Sequence, residues 1–408
     1  MSRYKVGLLL AVLLPLFSSA TGCAPRQDFD SRLQAIADPF RFHLLRWELN
    51  ALVGTLRKPF GGGGQASENA TPAITTYFDN VDRIRNLETA VAAVKAGSPA
   101  GDLASLENKL GELQQRNAAL AAAVSRQLEK QVRATLSQQG IFNPVDRYLR
   151  WRVGFPPVEI DLARPPHLLV VSPRERIESL REVTLRPEMG QTDMENIEAA
   201  VDALGVSSLV VDLGGLSTYP SYVTSQADLR FTIETIVHEW LHQYLAFTPL
   251  GFRYILDLTG LRPDYEIATM NETVVGLVSQ EIGAIIYQQY RPGTDNATVG
   301  ESVAKFDFNK TMRETRRSVD AYLARGEIDR AEAYMEQQRQ YLAANGYYLR
   351  KLNQAYFAFH GAYADSPTSI SPIGGELKTL RGRSASLKSF LDTVAVMTSP
   401  RDLEKSVR

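Results

Sequence analysis

Residues 231–247 read FTIETIVHEWLHQYLAF, an apolar run with His238-Glu239-Trp240-Leu241-His242 near its centre. Two histidines four apart on an α-helix are offset by only about 40° around its axis, so both imidazoles converge on one ion. Glu239 lies about 100° from His238 and points beside that ion. This HExxH pattern carries the parts of metal-assisted hydrolysis: two nitrogen ligands, and a carboxylate base next to an open coordination position. An accidental pair of histidines is the alternative reading, but the chain has only five, and two fall at the required spacing. The variable positions Trp240 and Leu241 are uncharged, and Ile236 and Val237 make the preceding turn apolar.

A catalytic zinc takes three protein ligands and keeps one position open. The extended metzincin motif places a glycine and a third histidine after the second one; Leu245 and Thr248 stand there, which excludes that class. No GTxxD follows for an aspartate-type site. The candidate third ligand is Glu272, in Met270-Asn271-Glu272-Thr273-Val274 on the next helical stretch, with Glu281 as its rival. Nine residues separate the two, about 180° on a helix, so only one of them faces the metal. Gly276, Ser279 and Gly283 continue the face of Glu272, and small side chains let a second helix come close enough for a short carboxylate arm.

With these residues the chain resembles the gluzincin zinc peptidases, which share an HExxH helix, an upstream edge strand that binds substrate, and a later helix bearing a third Glu ligand, often preceded by Asn. Asn271-Glu272 matches that last feature. The resemblance spans about Leu209 to Tyr290. It implies one zinc ion held by His238, His242 and Glu272, with Glu239 as general base and a peptide-binding strand and loop within Leu209 to Tyr222. Gly214-Gly215-Leu216-Ser217-Thr218 stands where the aminopeptidases carry Gly-x-Met-x-Asn, so free-amine recognition is not implied, and Gly214 and Gly215 become the candidate substrate-binding positions. Gluzincins also draw a His or Tyr from a C-terminal segment to stabilise the oxyanion. His360 and Tyr356, four apart in an aromatic stretch, are the candidates, with a core aromatic helix as the commoner reading of such a stretch, and His43 and His167 read as structural or surface histidines.

Outward from the motif, Ser225 is the expected helix cap, with Asp228 as its capping-box partner. Upstream, Val158, Ile160 and Leu162 alternate with polar residues, Leu168 to Val171 form an apolar run, and Ile177 to Leu185 offer a third strand. A helix from about Asp193 to Leu204 stops at Gly205, and Leu209 to Leu213 run as a strand into the two glycines. Downstream, the chain reads as irregular to Asp264, helical from about Glu266 to Tyr290, polar from Arg291 to Ser302, and helical again through Ala364, with a terminal helix over Leu387 to Val396.

The N-terminal part is helical. Leu33, Ile36, Phe40, Leu44 and Trp47 share one face between Asp28 and Leu56, with Pro39 a start or kink, and Gly61 to Gly64 form a flexible connection. Two long apolar seams, Ile74 to Val94 and Leu103 to Leu128, flank Gly97-Ser98-Pro99-Ala100-Gly101 and predict an antiparallel helical hairpin in which Asn117 is a polar interruption. The expected layout is a signal segment over 1–22, an N-terminal helix and linker over 23–64, the hairpin over 65–145, and a zincin-like catalytic domain over 146–408. The fold class is α+β, mostly helical with a small sheet.

Arg3 and Lys5 precede an apolar segment from Val6 to Phe17, too short to span a bilayer. Ala20-Thr21-Gly22-Cys23 resembles a bacterial lipobox, and Cys23 is the one cysteine in the chain, which no internal disulfide can use. The expectation is an exported lipoprotein tethered to the membrane through Cys23. A formal net charge of -1 without a basic block argues against nucleic acid as a partner. The oligomeric state is not legible. Together these features predict a membrane-tethered, extracytoplasmic zinc metallopeptidase acting on a peptide or protein substrate. The other reading is a lipid-anchored scaffold or binding protein with an inactive zincin fold and the hairpin as its working part, against which the intact Glu239 speaks.

Overall fold

A computed structural model describes residues 24–42, 70–95, 102–146, 152–290, 306–362, 366 and 368–408. The signal segment, Cys23, His43, Leu44, Trp47, the Gly61 to Gly64 connection, the Gly97 to Gly101 turn and the polar loop from Arg291 to Ser302 lie outside them.

Helix α1 (Ala24–Ala37) ends where Pro39 begins a short 3-10 turn, Asp38–Phe40. Helices α2 (Ala70–Lys95) and α3 (Leu103–Gln138) form the expected hairpin. Lys95 meets Glu107 at 2.9 Å and Gln114 meets Glu88 at 3.2 Å, a pairing that runs in opposite senses along the two helices. Asn117 does not simply interrupt the seam. It is buried and accepts the Asn80 amide at 3.3 Å, so the polar pair fixes the register of the two helices. Val124, Leu128, Val132 and Leu136 on the second half of α3 are buried in the same apolar cluster as Ile236, Val237 and Leu241 of the HExxH helix, so one core runs across the expected boundary at residue 145.

Among the described residues, six strands form two three-stranded sheets rather than one. In the first, β1 (Ile160–Ala163) runs parallel to β6 (Ser221–Thr224), and β5 (Gly215–Leu216) lies antiparallel on the other side of β6. In the second, β2 (His167–Pro173) is flanked by antiparallel β3 (Arg181–Leu185) and β4 (Val206–Asp212). Helix α4 (Gln191–Asp202) precedes β4 and is closed by Gly205 at φ +86°, a left-handed position that glycine adopts freely. The expected single segment from Leu209 to Tyr222 is thus divided between two sheets: β4 is buried against β2, and the chain then crosses to β5.

Helix α5 (Leu229–Leu245) carries the HExxH motif. Its cap is Asp228, which accepts Phe231 N–H at 2.9 Å; Ser225 instead donates its backbone N–H to Ala163 O at 3.1 Å, a link to the β1 end. The stretch expected to be irregular forms helix α6 (Pro249–Leu258). Thr248 caps it and Pro249 opens it, the standard start signal. Gly251 is required there, because a Cβ would stand 2.0 Å from Leu245 O at the tight α5–α6 corner.

Helix α7 (Tyr265–Tyr290) is buried along most of its length and packs against α5. The close approach expected from its small residues is real at Gly283, where a Cβ would lie 2.5 Å from Glu234 Cγ of α5, but not at Gly276, which has open space around it. The helical stretch from residue 306 divides into α8 (Phe308–Ala324), α9 (Ile328–Ala344) and α10 (Gln354–His360), because Gly326 and Gly346 take positive φ and Asn353 starts a new helix by accepting Tyr356 N–H at 2.9 Å. Helices α11 (Ile373–Arg383), α12 (Leu387–Val394) and α13 (Pro400–Val407) close the core beside α7. No described helix is long and apolar enough to cross a membrane.

Candidate metal centre

Three side chains from α5 and α7 meet where the two helices pack. His238 and His242 bring their Nε2 atoms to 3.1 Å of each other. Glu272 reaches both, with Oε2 3.5 Å from His238 Nε2 and Oε1 3.5 Å from His242 Nε2. Donor atoms of a tetrahedral zinc site with bonds of about 2.0–2.2 Å stand about 3.3–3.6 Å apart. The observed triangle of 3.1, 3.5 and 3.5 Å fits the base of such a site. Among the described residues it is the one group of His, Cys, Asp and Glu close enough to hold a metal ion.

The cluster could hold a cation. Glu272 Oε2 is buried and its near partner is His238 Nε2 at 3.5 Å. Burial opposes ionisation of Glu272, but the imidazoles of His242 and His238 outweigh it and hold the carboxyl well below its usual range. Burial likewise opposes a charge on His242, and there the carboxylates of Glu272 and Glu239 win, with the Asn271 side chain adding to them, so its pKa is raised. Asn271, fully buried on α7, is therefore a neighbour of His242.

Glu281, the rival ligand, is engaged elsewhere: both of its oxygens accept from Arg381 of α11 at 2.8 Å. A nine-residue step along α7 carries it to the other side of the helix, as the periodicity requires.

Glu239 is buried beside the triangle, with 7% of its surface exposed. Burial raises its pKa, the two histidines pull it down, and Glu272 pushes it up. Gly215 lies directly against it: a Cβ there would be 2.6 Å from Glu239 Oε1 and 2.7 Å from Thr235 Cγ2. Gly214 is packed on Phe231, about two turns before Glu239, its Cβ position 2.7 Å from the ring. Ser217 Oγ donates to Glu239 O at 2.8 Å, which pins the loop after β5 onto α5. Both glycines singled out by the sequence thus line the helix at the motif.

Thr224 N–H donates to Gly214 O at 2.9 Å, while Gly215 faces Val223 across the ladder. Alternate residues of an antiparallel strand bond to opposite sides, so the N–H and C=O of Gly215 point away from β6. Strand β5 is the outer strand of its sheet.

His360 and Tyr356, the expected oxyanion pair, lie on α10 against β2 and β4. Their rings are 4.3 Å apart and contact Phe359 and Phe357, the packing of an aromatic core helix. Burial lowers His360 to about 4 and raises Tyr356 to about 12, so both are neutral near pH 7. The hydroxyl on the cluster comes from a residue that sequence reasoning passed over. Tyr254 of α6 donates to Glu272 Oε1 at 2.5 Å, and its ring stacks on His242 at 5.6 Å and 22°. The signal was available in Thr248-Pro249, a helix start that places Tyr254 on a helix immediately after the motif. His167 is structural as expected, held between Asp212 at 2.7 Å and Pro187 O at 3.2 Å.

Comparison of the chain with protein-family models, curated proteins and solved structures finds no match.

Proposed function

We propose that the protein is a zinc metallopeptidase of zincin-like, gluzincin type, with His238, His242 and Glu272 as ligands and Glu239 as general base. The observation that carries this reading is the donor triangle closed by Glu272, with Glu239 buried beside it and Gly215 pressed onto Glu239. A zinc ion held there supplies Lewis acidity to a water and to the scissile carbonyl. Glu239 receives the water proton on a carboxylate oxygen and passes it to the departing amine nitrogen. Gly215 presents a backbone N–H and C=O at an open edge, which suits an extended peptide added as a further strand.

The lipobox-like Ala20-Thr21-Gly22-Cys23 after a short apolar segment supports an exported protein anchored through Cys23. A second reading, a lipid-anchored scaffold, draws on the hairpin: among the described residues of α3, those before Asn117 are not buried, so this half of the arm is solvated. The test is metal analysis joined to peptide cleavage. The purified chain is expected to hold one zinc, to cleave unstructured peptides, to stop when the metal is chelated, and to resume when zinc is returned. A zinc-loaded chain that cleaves nothing in a diverse peptide library would favour the scaffold.

A further inference from the structure

We infer that Tyr254 is the positioning residue of the metal centre: it holds Glu272 to one-oxygen coordination and fixes the plane of His242. This deepens the zinc reading above and rests on it.

Glu272 presents its two oxygens almost symmetrically to the histidines, each 3.5 Å from one Nε2. Nothing in that arrangement alone decides between one-oxygen and two-oxygen binding. Tyr254 breaks the symmetry. Its O–H donates to Oε1 at 2.5 Å, while Oε2 meets no hydroxyl and has His238 Nε2 at 3.5 Å. A lone pair spent on the phenol weakens Oε1 as a ligand, and Oε2 is left as the strong donor. One-oxygen coordination keeps the fourth position of a tetrahedral site free for water, which a catalytic site requires and a closed structural site does not. The same side chain lies along His242 with the rings 5.6 Å apart and 22° from parallel. Tyr254 therefore touches two of the three ligands, and it stands on α6, an element separate from the helices that supply them.

Rigid placement of Tyr254 follows from its backbone. Helix α6 is capped by Thr248, clamped to the end of α5 by the contact at Gly251, and tied further by Arg253, which pairs with Asp264 at 3.0 Å. The phenol is thus delivered by a fixed scaffold, as an outer partner must be if it is to orient a ligand.

The experiment compares wild type, Tyr254→Phe and Tyr254→Ala by zinc competition against a chromophoric chelator and by the visible spectrum of the cobalt(II)-substituted proteins. Tyr254→Phe keeps the ring and loses the hydroxyl. It is expected to weaken zinc about 10- to 100-fold, and to lower the intensity of the cobalt bands as Glu272 becomes two-oxygen and coordination number rises. Tyr254→Ala is expected to weaken zinc further, since the stacked ring is gone too. Wild-type affinity together with an unchanged cobalt spectrum in Tyr254→Phe would overturn the inference. A wild-type chain that binds no zinc would instead overturn the zinc reading, and this role with it.

Discussion

Gly215 and Glu239 are in such close contact that one methyl group on the glycine would stand 2.6 Å from the carboxylate oxygen Oε1. The edge strand and Glu239 are therefore set against each other with no spare volume. Gly215→Ala forces one of them to shift. Because a displacement of about 1 Å at a reacting group costs on the order of 100-fold, kcat/KM for peptide hydrolysis is expected to fall by roughly that factor. Zinc content should be unchanged, since the atoms nearest a Cβ at Gly215 belong to Glu239 and Thr235 and to none of the three candidate ligands. Stability should fall by about 1–3 kcal/mol, the usual cost of overpacking, measured by urea unfolding.

The two glutamates of α7 separate cleanly by substitution. Glu272→Ala removes one corner of the donor triangle and is expected to lose zinc at micromolar concentration. Glu281→Ala only breaks the partly exposed ion pair with Arg381, a loss of about 1 kcal/mol or less, with zinc retained. Metal analysis after dialysis reads both.

His360 sets an acid limit on stability. In the unfolded chain a histidine titrates near about 6.5, whereas burial lowers the folded value to about 4. Between these values the unfolded state binds a proton that the folded state does not, so stability rises with pH across that window and falls as pH drops from about 6.5 to about 4. The effect of this one group is at most roughly 3 kcal/mol. His360→Leu is expected to flatten that part of the pH profile of urea unfolding, and to leave zinc affinity unchanged.

Gly214 and Gly215 came from the edge strand that the resemblance implies. The motif helix and the grouping of Glu272 with His238 and His242 were legible because they are tied to helical spacing: His238 to His242, and Glu272 opposed to Glu281, need only 3.6 residues per turn. The hairpin was legible for the same reason. What escaped is tertiary. Asp228 rather than Ser225 caps α5 because the helix begins only at Leu229, after Ser225 N–H has bonded to Ala163 O at the β1 end, a start point no local pattern displays. The division of Leu209 to Tyr222 between two sheets depends on which strand β4 finds as a partner. Tyr254 was hidden because a ten-residue helix carries too few turns for its period to stand out, although Thr248-Pro249 marked its start. The pairing of Asn80 with Asn117 across the hairpin likewise turned an apparent defect in an apolar seam into a buried hydrogen bond. His360 and Tyr356 were named from the resemblance and their spacing of four, with a core aromatic helix as the other reading, and their rings do pack with Phe359 and Phe357.

The central claim is that Glu239 works as a base beside a metal held by His238, His242 and Glu272. Glu239→Gln keeps the shape and burial of the side chain and removes only its capacity to accept a proton. The most direct measurement is zinc content and peptide hydrolysis of this variant against wild type under the same conditions. The account predicts one zinc per chain in both and a loss of hydrolysis of at least about 100-fold in the variant. Hydrolysis at the wild-type rate by zinc-loaded Glu239→Gln would contradict it.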